Sequence, residues 1–121
     1  MTRIAFMMTC EKWDIVLVSF PFTNLQSIKK RPALIISPNR YNSGLDVVIL
    51  FITSNIKSFG RTGDYIIQNW QESGLPKPSM ARMKFATIER AIIIKKLGRI
   101  TSIDQDVIGN ELQIFFGLKK K

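Results

Sequence analysis

The sequence predicts a mainly β fold, an antiparallel meander or small barrel, with one amphipathic helix at its C-terminal end. Three observations carry this. The stretches WDIVLVSFPF, ALIIS and DVVILFIT are rich in β-branched and aromatic residues and are joined by short polar segments. Little of the intervening chain has helical periodicity. The stretch after Thr101 does, with Ile103, Val107, Leu112 and Phe115 beside Ile108 and Phe116. At 121 residues and 45% hydrophobic content, the chain is read as one domain over 1–121 with a single core. Residues 1–11 are read as an N-terminal extension, which a start at Met7 or Met8 would largely remove.

The elements follow in order. In the first strand Ile15, Leu17 and Ser19 alternate with Val16, Val18 and Phe20, so both faces are largely apolar and the strand is expected to be buried on both sides. Pro21 ends it or places its end at an edge. Thr23 to Lys30 is a polar loop without Gly or Pro, long for a tight hairpin and suited to reaching a ligand. Arg31-Pro32 opens the second strand. Pro38-Asn39 and Asn42-Ser43-Gly44 supply turn chemistry before the third. A two-glycine loop (57–63) leads to a short strand in DYIIQ, and QESGLPKPS is an irregular crossing. MARMKFATIE reads as a strand. Arg90 to Leu97 fits strand or helix and is expected to be helix-like, with Gly98 as its C-cap. The final helix has Thr101-Ser102 as N-cap and Gln105 in a capping box, and ends near Gly117.

Composition narrows the chemistry. There is no histidine and one cysteine, and no Cys or Asp/Glu spacing suggests zinc or calcium ligands. No cofactor is therefore expected, and any hydrolytic site must work without imidazole. The apolar runs fall short of the roughly 18 residues that would suggest a membrane span. A lone Cys10 in a ragged lead-in fits an intracellular, cytoplasmic protein. The net charge of +9 is large enough to steer polyanions. It is clustered at Lys29-Lys30-Arg31, Lys95-Lys96 and Lys119-Lys120-Lys121, which favours nucleic acid over simple solubility.

Taken together, WDIVLVSFPF, KKRPALIIS, VVILFITS, GLPKPS and KKLGRI occur in the order and spacing of the MazF/PemK family, which the chain resembles from about Lys12 to Phe116. The resemblance implies an SH3-like β-barrel with a C-terminal helix, working as a homodimer. It also implies a type II toxin–antitoxin toxin: a metal-independent endoribonuclease that cuts single-stranded RNA and is neutralised by an acidic antitoxin segment. The family's functional pair, the arginine of the R-P motif and the threonine of the T-S motif, falls here on Arg31 and Thr53. Many members have glycine where Trp13 stands. Some carry an acidic residue, proposed as the base, in the strand after the GLPKPS-like segment. Here that strand holds Arg82, Met83 and Lys84, with no carboxylate before Glu89.

The chemistry stands without the family. RNA carries its own nucleophile in the 2′-hydroxyl, so a site needs only to position it and stabilise charge on phosphorus. Guanidinium offers a permanently charged fork to phosphate, and a threonine hydroxyl adds a neutral hydrogen bond. The expected products have 2′,3′-cyclic phosphate and 5′-hydroxyl ends. Ser54 is expected to support Thr53, Lys29, Lys30 and Asn24 to hold RNA from the loop, and Arg82 to make a second phosphate contact. Ordinary readings exist for each: a solvated edge charge for Arg31, a hydroxyl bonded to backbone for Thr53, packing for Trp13. Two rival functions are a non-enzymatic gyrase poison resembling CcdB, and a basic barrel that binds nucleic acid without chemistry.

Overall fold

The computed structural model describes residues 9–21 and 28–121. The chain runs β1 (Asp14–Pro21), β2 (Ile28–Ile35), a single helical turn α1 (Asn39–Asn42), β3 (Asp46–Thr53), the two-residue β4 (Tyr65–Ile66), β5 (Met80–Glu89), β6 (Ile93–Arg99) and α2 (Ser102–Phe115). Every pairing is antiparallel, in the order β4-β5-β3-β2-β1-β6. This is the expected mainly β fold with a C-terminal helix.

Among the described residues the hydrogen-bond ladder does not join β4 to β6. The crossing between β4 and β5 instead reaches over to β6, where Gly74 and Gly98 bring two backbones into contact. A Cβ on Gly74 would strike the Leu97 carbonyl oxygen, and one on Gly98 the Ser73 carbonyl oxygen. The glycines of GLPKPS and KKLGRI are thus two halves of one contact, which no side chain could enter.

Both faces of the central strands are buried, as the double-sided hydrophobicity of β1 and β3 requires. One face packs Ile15, Leu34, Leu50 and Ile52 with Ile67, Leu75 and Ile108 of α2; the other packs Val16, Val18, Ala33, Ile35, Val47 and Ile49 with Ile88. Cys10 belongs to the second cluster and is 4% exposed, so the end of the expected ragged lead-in is packed. Burial pushes its thiol pKa up. No helix among the described residues is long and apolar enough to cross a membrane.

Three local expectations are corrected. First, β2 begins at Ile28 rather than at Arg31, because Lys29 and Lys30 pair with Phe20 and Ser19 across the hairpin. Pairing geometry, not side-chain polarity, decides strand there. Second, 90–97 is not helix-like: one 3-10 turn (Arg90–Ile92) leads into β6, which pairs with β1. AIIIKK suits either state, and an open edge on β1 settles it. Gly98 consequently lies within a strand and caps nothing. Third, α2 is capped at Thr101 without a side-chain bond to its backbone. Thr101 Oγ1 and Asp104 Oδ2 lie 3.4 Å apart, with the hydroxyl as donor, and Gln105 Nε2 donates to the Ile100 carbonyl at 2.8 Å. Ile103, expected on the apolar stripe, is 51% exposed; Asp104 and Ile108 form the buried line instead.

Trp13 explains its own oddity. Its φ is 80°, the left-handed region where an L residue costs on the order of 1–2 kcal/mol and glycine almost nothing. Its N–H donates to the Ile35 carbonyl at 2.7 Å, and its carbonyl accepts from Ile100 at 3.1 Å, so the backbone is fixed. The indole lies beside Gly109 of α2, which leaves room for it. Packing against the helix offsets the strain.

Candidate active site

β3 and β2 bring the two resemblance residues together. Ala33 pairs with Phe51 and Leu34 with Leu50. Carried on by two residues, that register sets Arg31 level with Thr53 on the same face of the sheet. Both line one cleft of about 220 Å³, with Phe51, Ile52, Arg61, Arg82 and Lys84. Four of these seven side chains are cationic. The cleft is therefore built for an anion held against a short apolar floor.

A bulge delivers the β5 contributors. Leu50 pairs with Phe85 but its neighbour Phe51 pairs with Arg82, which leaves Met83 and Lys84 out of the ladder. Such a bulge re-aims side chains. Lys84 Nζ ends 5.2 Å from the Phe51 ring centroid, a cation–π contact that holds the ammonium over the cleft. Thr53 Oγ1 accepts the Asn55 N–H at 3.1 Å. This bond to backbone fixes the hydroxyl while leaving its proton available to donate, since a hydroxyl can accept and donate at once.

Ser54, next along the chain, lines a different cleft. That second space, about 440 Å³, has Leu17, Pro32, Ile52 and Leu97 as apolar wall and Lys30, Arg31, Lys77 and Lys95 as cations. Arg31 and Ile52 are common to both clefts. Lys29 is exposed on β2 and lines neither. Asn24 lies outside the described residues.

Arg82 has a task the sequence did not suggest. Its Nε and Nη2 grip Asp64 Oδ1 and Oδ2 at 3.1 and 2.9 Å, and Nη2 also donates to the Ser58 carbonyl at 2.9 Å. Asp64 further accepts the Gly60 and Arg61 N–H groups at 3.1 and 2.9 Å, and its side chain has no exposed surface. The Arg82 hydrogen bonds hold the Asp64 carboxyl down at about 2, against burial, with the two backbone donors adding to the effect. A carboxylate so placed is a poor proton acceptor near neutrality.

Sequence reasoning missed Arg61, Lys84 and Asp64. Gly60-Arg-Thr-Gly-Asp64 carried a signal: an aspartate after glycine-bearing turn residues commonly accepts from the preceding backbone. Lys84 gave none, because only the bulge turns it to this side.

A family model described as PemK-like, MazF-like toxin of type II toxin-antitoxin system matches residues 11–116. Solved structures share the fold at low identity. An endoribonuclease in complex with its cognate antitoxin, from a mycobacterial species, is 17% identical over 93% of this chain and 99% of its own, with a TM-score of 0.76. A MazE–MazF complex from Deinococcus radiodurans is 16% identical over 93% and 99%, with a TM-score of 0.75. The Mycobacterium tuberculosis toxin MazF-mt6 is 18% identical over 88% and 98%, with a TM-score of 0.69. No curated protein matches the sequence.

Proposed function

The chain belongs to the family of PemK-like, MazF-like toxins of type II toxin–antitoxin systems, and from that premise we propose that it is an endoribonuclease acting on single-stranded RNA. One observation carries the reading: Arg31 and Thr53 face a single cationic cleft together with Arg61 and Lys84. Such a cleft accepts a phosphodiester and supplies no nucleophile. RNA brings its own. The 2′-hydroxyl gives up its proton to solvent as its oxygen attacks the adjacent phosphorus, the bond from phosphorus to the 5′-oxygen breaks, and that oxygen takes a proton from solvent, so the ends are a 2′,3′-cyclic phosphate and a 5′-hydroxyl. Arg31 neutralises the charge that grows on the phosphoryl oxygens, and the Thr53 hydroxyl donates to one of them. No metal or cofactor enters this scheme.

Flanking nucleotides run into the second cleft, where Lys30 meets the backbone and Ser54 stands at the wall; Lys29, exposed on β2, and Asn24 are assigned to the same RNA. Arg82 serves the site by holding the loop rather than by touching phosphate. The active unit is a homodimer, for which an apolar groove between Ile36, Pro38, Tyr41, Val48, Phe85 and the exposed Phe116 offers surface. The net charge of +9 suits an acidic antitoxin. The cytoplasm is the compartment where such RNA and such a partner meet.

Arg31→Ala tests the assignment. Cleavage of a single-stranded RNA in EDTA should fall by about 10²–10³-fold, with the thermal midpoint unchanged and wild-type products mapped to cyclic-phosphate ends. Wild-type cutting by Arg31→Ala would remove Arg31 from the site. Bound but uncut RNA with wild-type protein would favour the non-catalytic barrel, and DNA breaks dependent on gyrase would favour the poison.

A further inference from the structure

The loop between β3 and β4 carries Arg61 into the cleft, yet it has little of its own to hold it there. Its backbone bonds are short-range, from Ile56 to Ser54, Ser58 to Asn55, Phe59 to Ile56 and Asp64 to Arg61. It contains two glycines at positive φ, Gly60 and Gly63. An exposed loop of this kind samples many conformations unless it is tied to a rigid element. The tie is Arg82, which projects from β5 and binds the loop at two places, the Ser58 carbonyl and both Asp64 oxygens. Asp64 then passes the restraint back to the loop backbone through Gly60 and through the N–H of Arg61 itself. The root of the Arg61 side chain is therefore fixed by a carboxylate that is in turn gripped side-on by a strand residue.

We propose that Arg61 is an RNA phosphate-binding residue of the cleft and that Asp64 and Arg82 are the positioning residues that present it. The proposal rests on the RNA reading above and deepens it. Four features support it together: Arg61 is exposed, it lines the same cleft as Arg31 and Thr53, its backbone N–H is bonded to Asp64, and the clamp is buried away from solvent. A bidentate pair with no exposed carboxylate surface restrains geometry far better than a surface ion pair would.

The experiment measures binding apart from chemistry. A single-stranded RNA that the wild type cuts is prepared with 2′-O-methyl groups, and its Kd is followed against salt. Arg61→Ala should bind about 5–10-fold more weakly and lower the salt slope by about 0.7, the value for one lost contact on a single strand. Asp64→Asn should give a similar loss, with faster tryptic cutting after Arg61 and an unchanged circular dichroism spectrum. The double variant should bind no worse than the weaker single one, because Asp64 acts through Arg61. Wild-type affinity and slope in Arg61→Ala overturn the proposal, as do additive losses in the double variant. If Asp64→Asn fails to fold, Arg82→Lys takes its place in the same cycle. A wild-type protein that neither cuts nor binds the RNA overturns the RNA reading as well, whereas normal cutting with an unimpaired Arg61→Ala overturns this inference alone.

Discussion

Two aspartates grip the chain on either side of β4, and they do different things. Asp64, just before the strand, takes two backbone N–H groups and the Arg82 fork. Asp104, in the first turn of α2, takes the Gln68 and Asn69 N–H groups at 2.9 Å each and the Tyr65 hydroxyl at 2.5 Å. Both side chains are buried and hold a neighbouring segment by its backbone. The partners differ. Asp104 fastens the helix to the turn after β4, inside the cluster of Ile67, Leu75 and Ile108, so its loss falls on the fold. Asp64 fastens an exposed loop to an edge of the cleft, so its loss falls on the site. One device serves stability or function according to what lies at the other end of it.

The largest effect is expected of Asp104→Ala. It removes the acceptor of the Gln68 and Asn69 N–H groups and the Tyr65 hydroxyl, besides the longer bond from Thr101, and a buried donor left without a partner costs about 1–3 kcal/mol. The expected loss is about 3–5 kcal/mol in urea unfolding, with cleavage per folded molecule retained. A variant as stable as wild type would show that water replaces the carboxylate.

Trp13→Gly comes next, and asks whether the helix depends on Asp104 alone. Glycine relieves the φ of 80° but removes the indole from Gly109. Packing should win, because a buried aromatic is worth about 3–5 kcal/mol and this one is half-buried, while the strain is about 1–2. A net loss of about 0.5 kcal/mol is expected; a clear gain would mean the ring contributes little.

The smallest effects separate the two clamps by pH. Asp64 is ionised in the fold down to about 2 against an ordinary 3.8. Its contribution is complete above the unfolded value and disappears as pH falls through that interval. Burial first, and then the bond to Asp104, push Tyr65 up to about 12 from 10.0. Its contribution is present below the unfolded value and disappears as pH rises from about 10 to 12. The acid limb should flatten in Asp64→Asn and the alkaline limb in Tyr65→Phe, as followed by unfolding midpoint; an exchange of the two limbs would contradict the assignment.

Much of this was legible beforehand, for identifiable reasons. β3 begins and ends where its residues predict, since a continuous β-branched run fits no other buried element as well, and β5 follows the apolar and polar alternation of MARMKFATIE. The cationic cluster and the Thr53-Ser54 pair are visible as residue types. By contrast, the strand over 93–99 was hidden because AIIIKK satisfies two periodicities, and the cleft role of Lys84 because a bulge has no reliable sequence mark. Arg82 was legible as a cation and not as a clamp. Its partner stands 18 residues away in sequence, and only the pairing of β5 with β3 and β4 brings Asp64 beside it.

Sequence alone sets the class of chain: a mainly β domain with a terminal helix, strongly basic, lacking histidine and carrying Arg31 and Thr53 as candidate site residues. Composition and hydrophobic alternation act locally, so they survive without a structure. Which charges face the cleft and which are locked away follows only from the folded chain. That choice depends on register, on one bulge and on a backbone contact between Gly74 and Gly98, all of them distances across the sheet. Charge can be counted along a chain, but its use is set by what stands beside it.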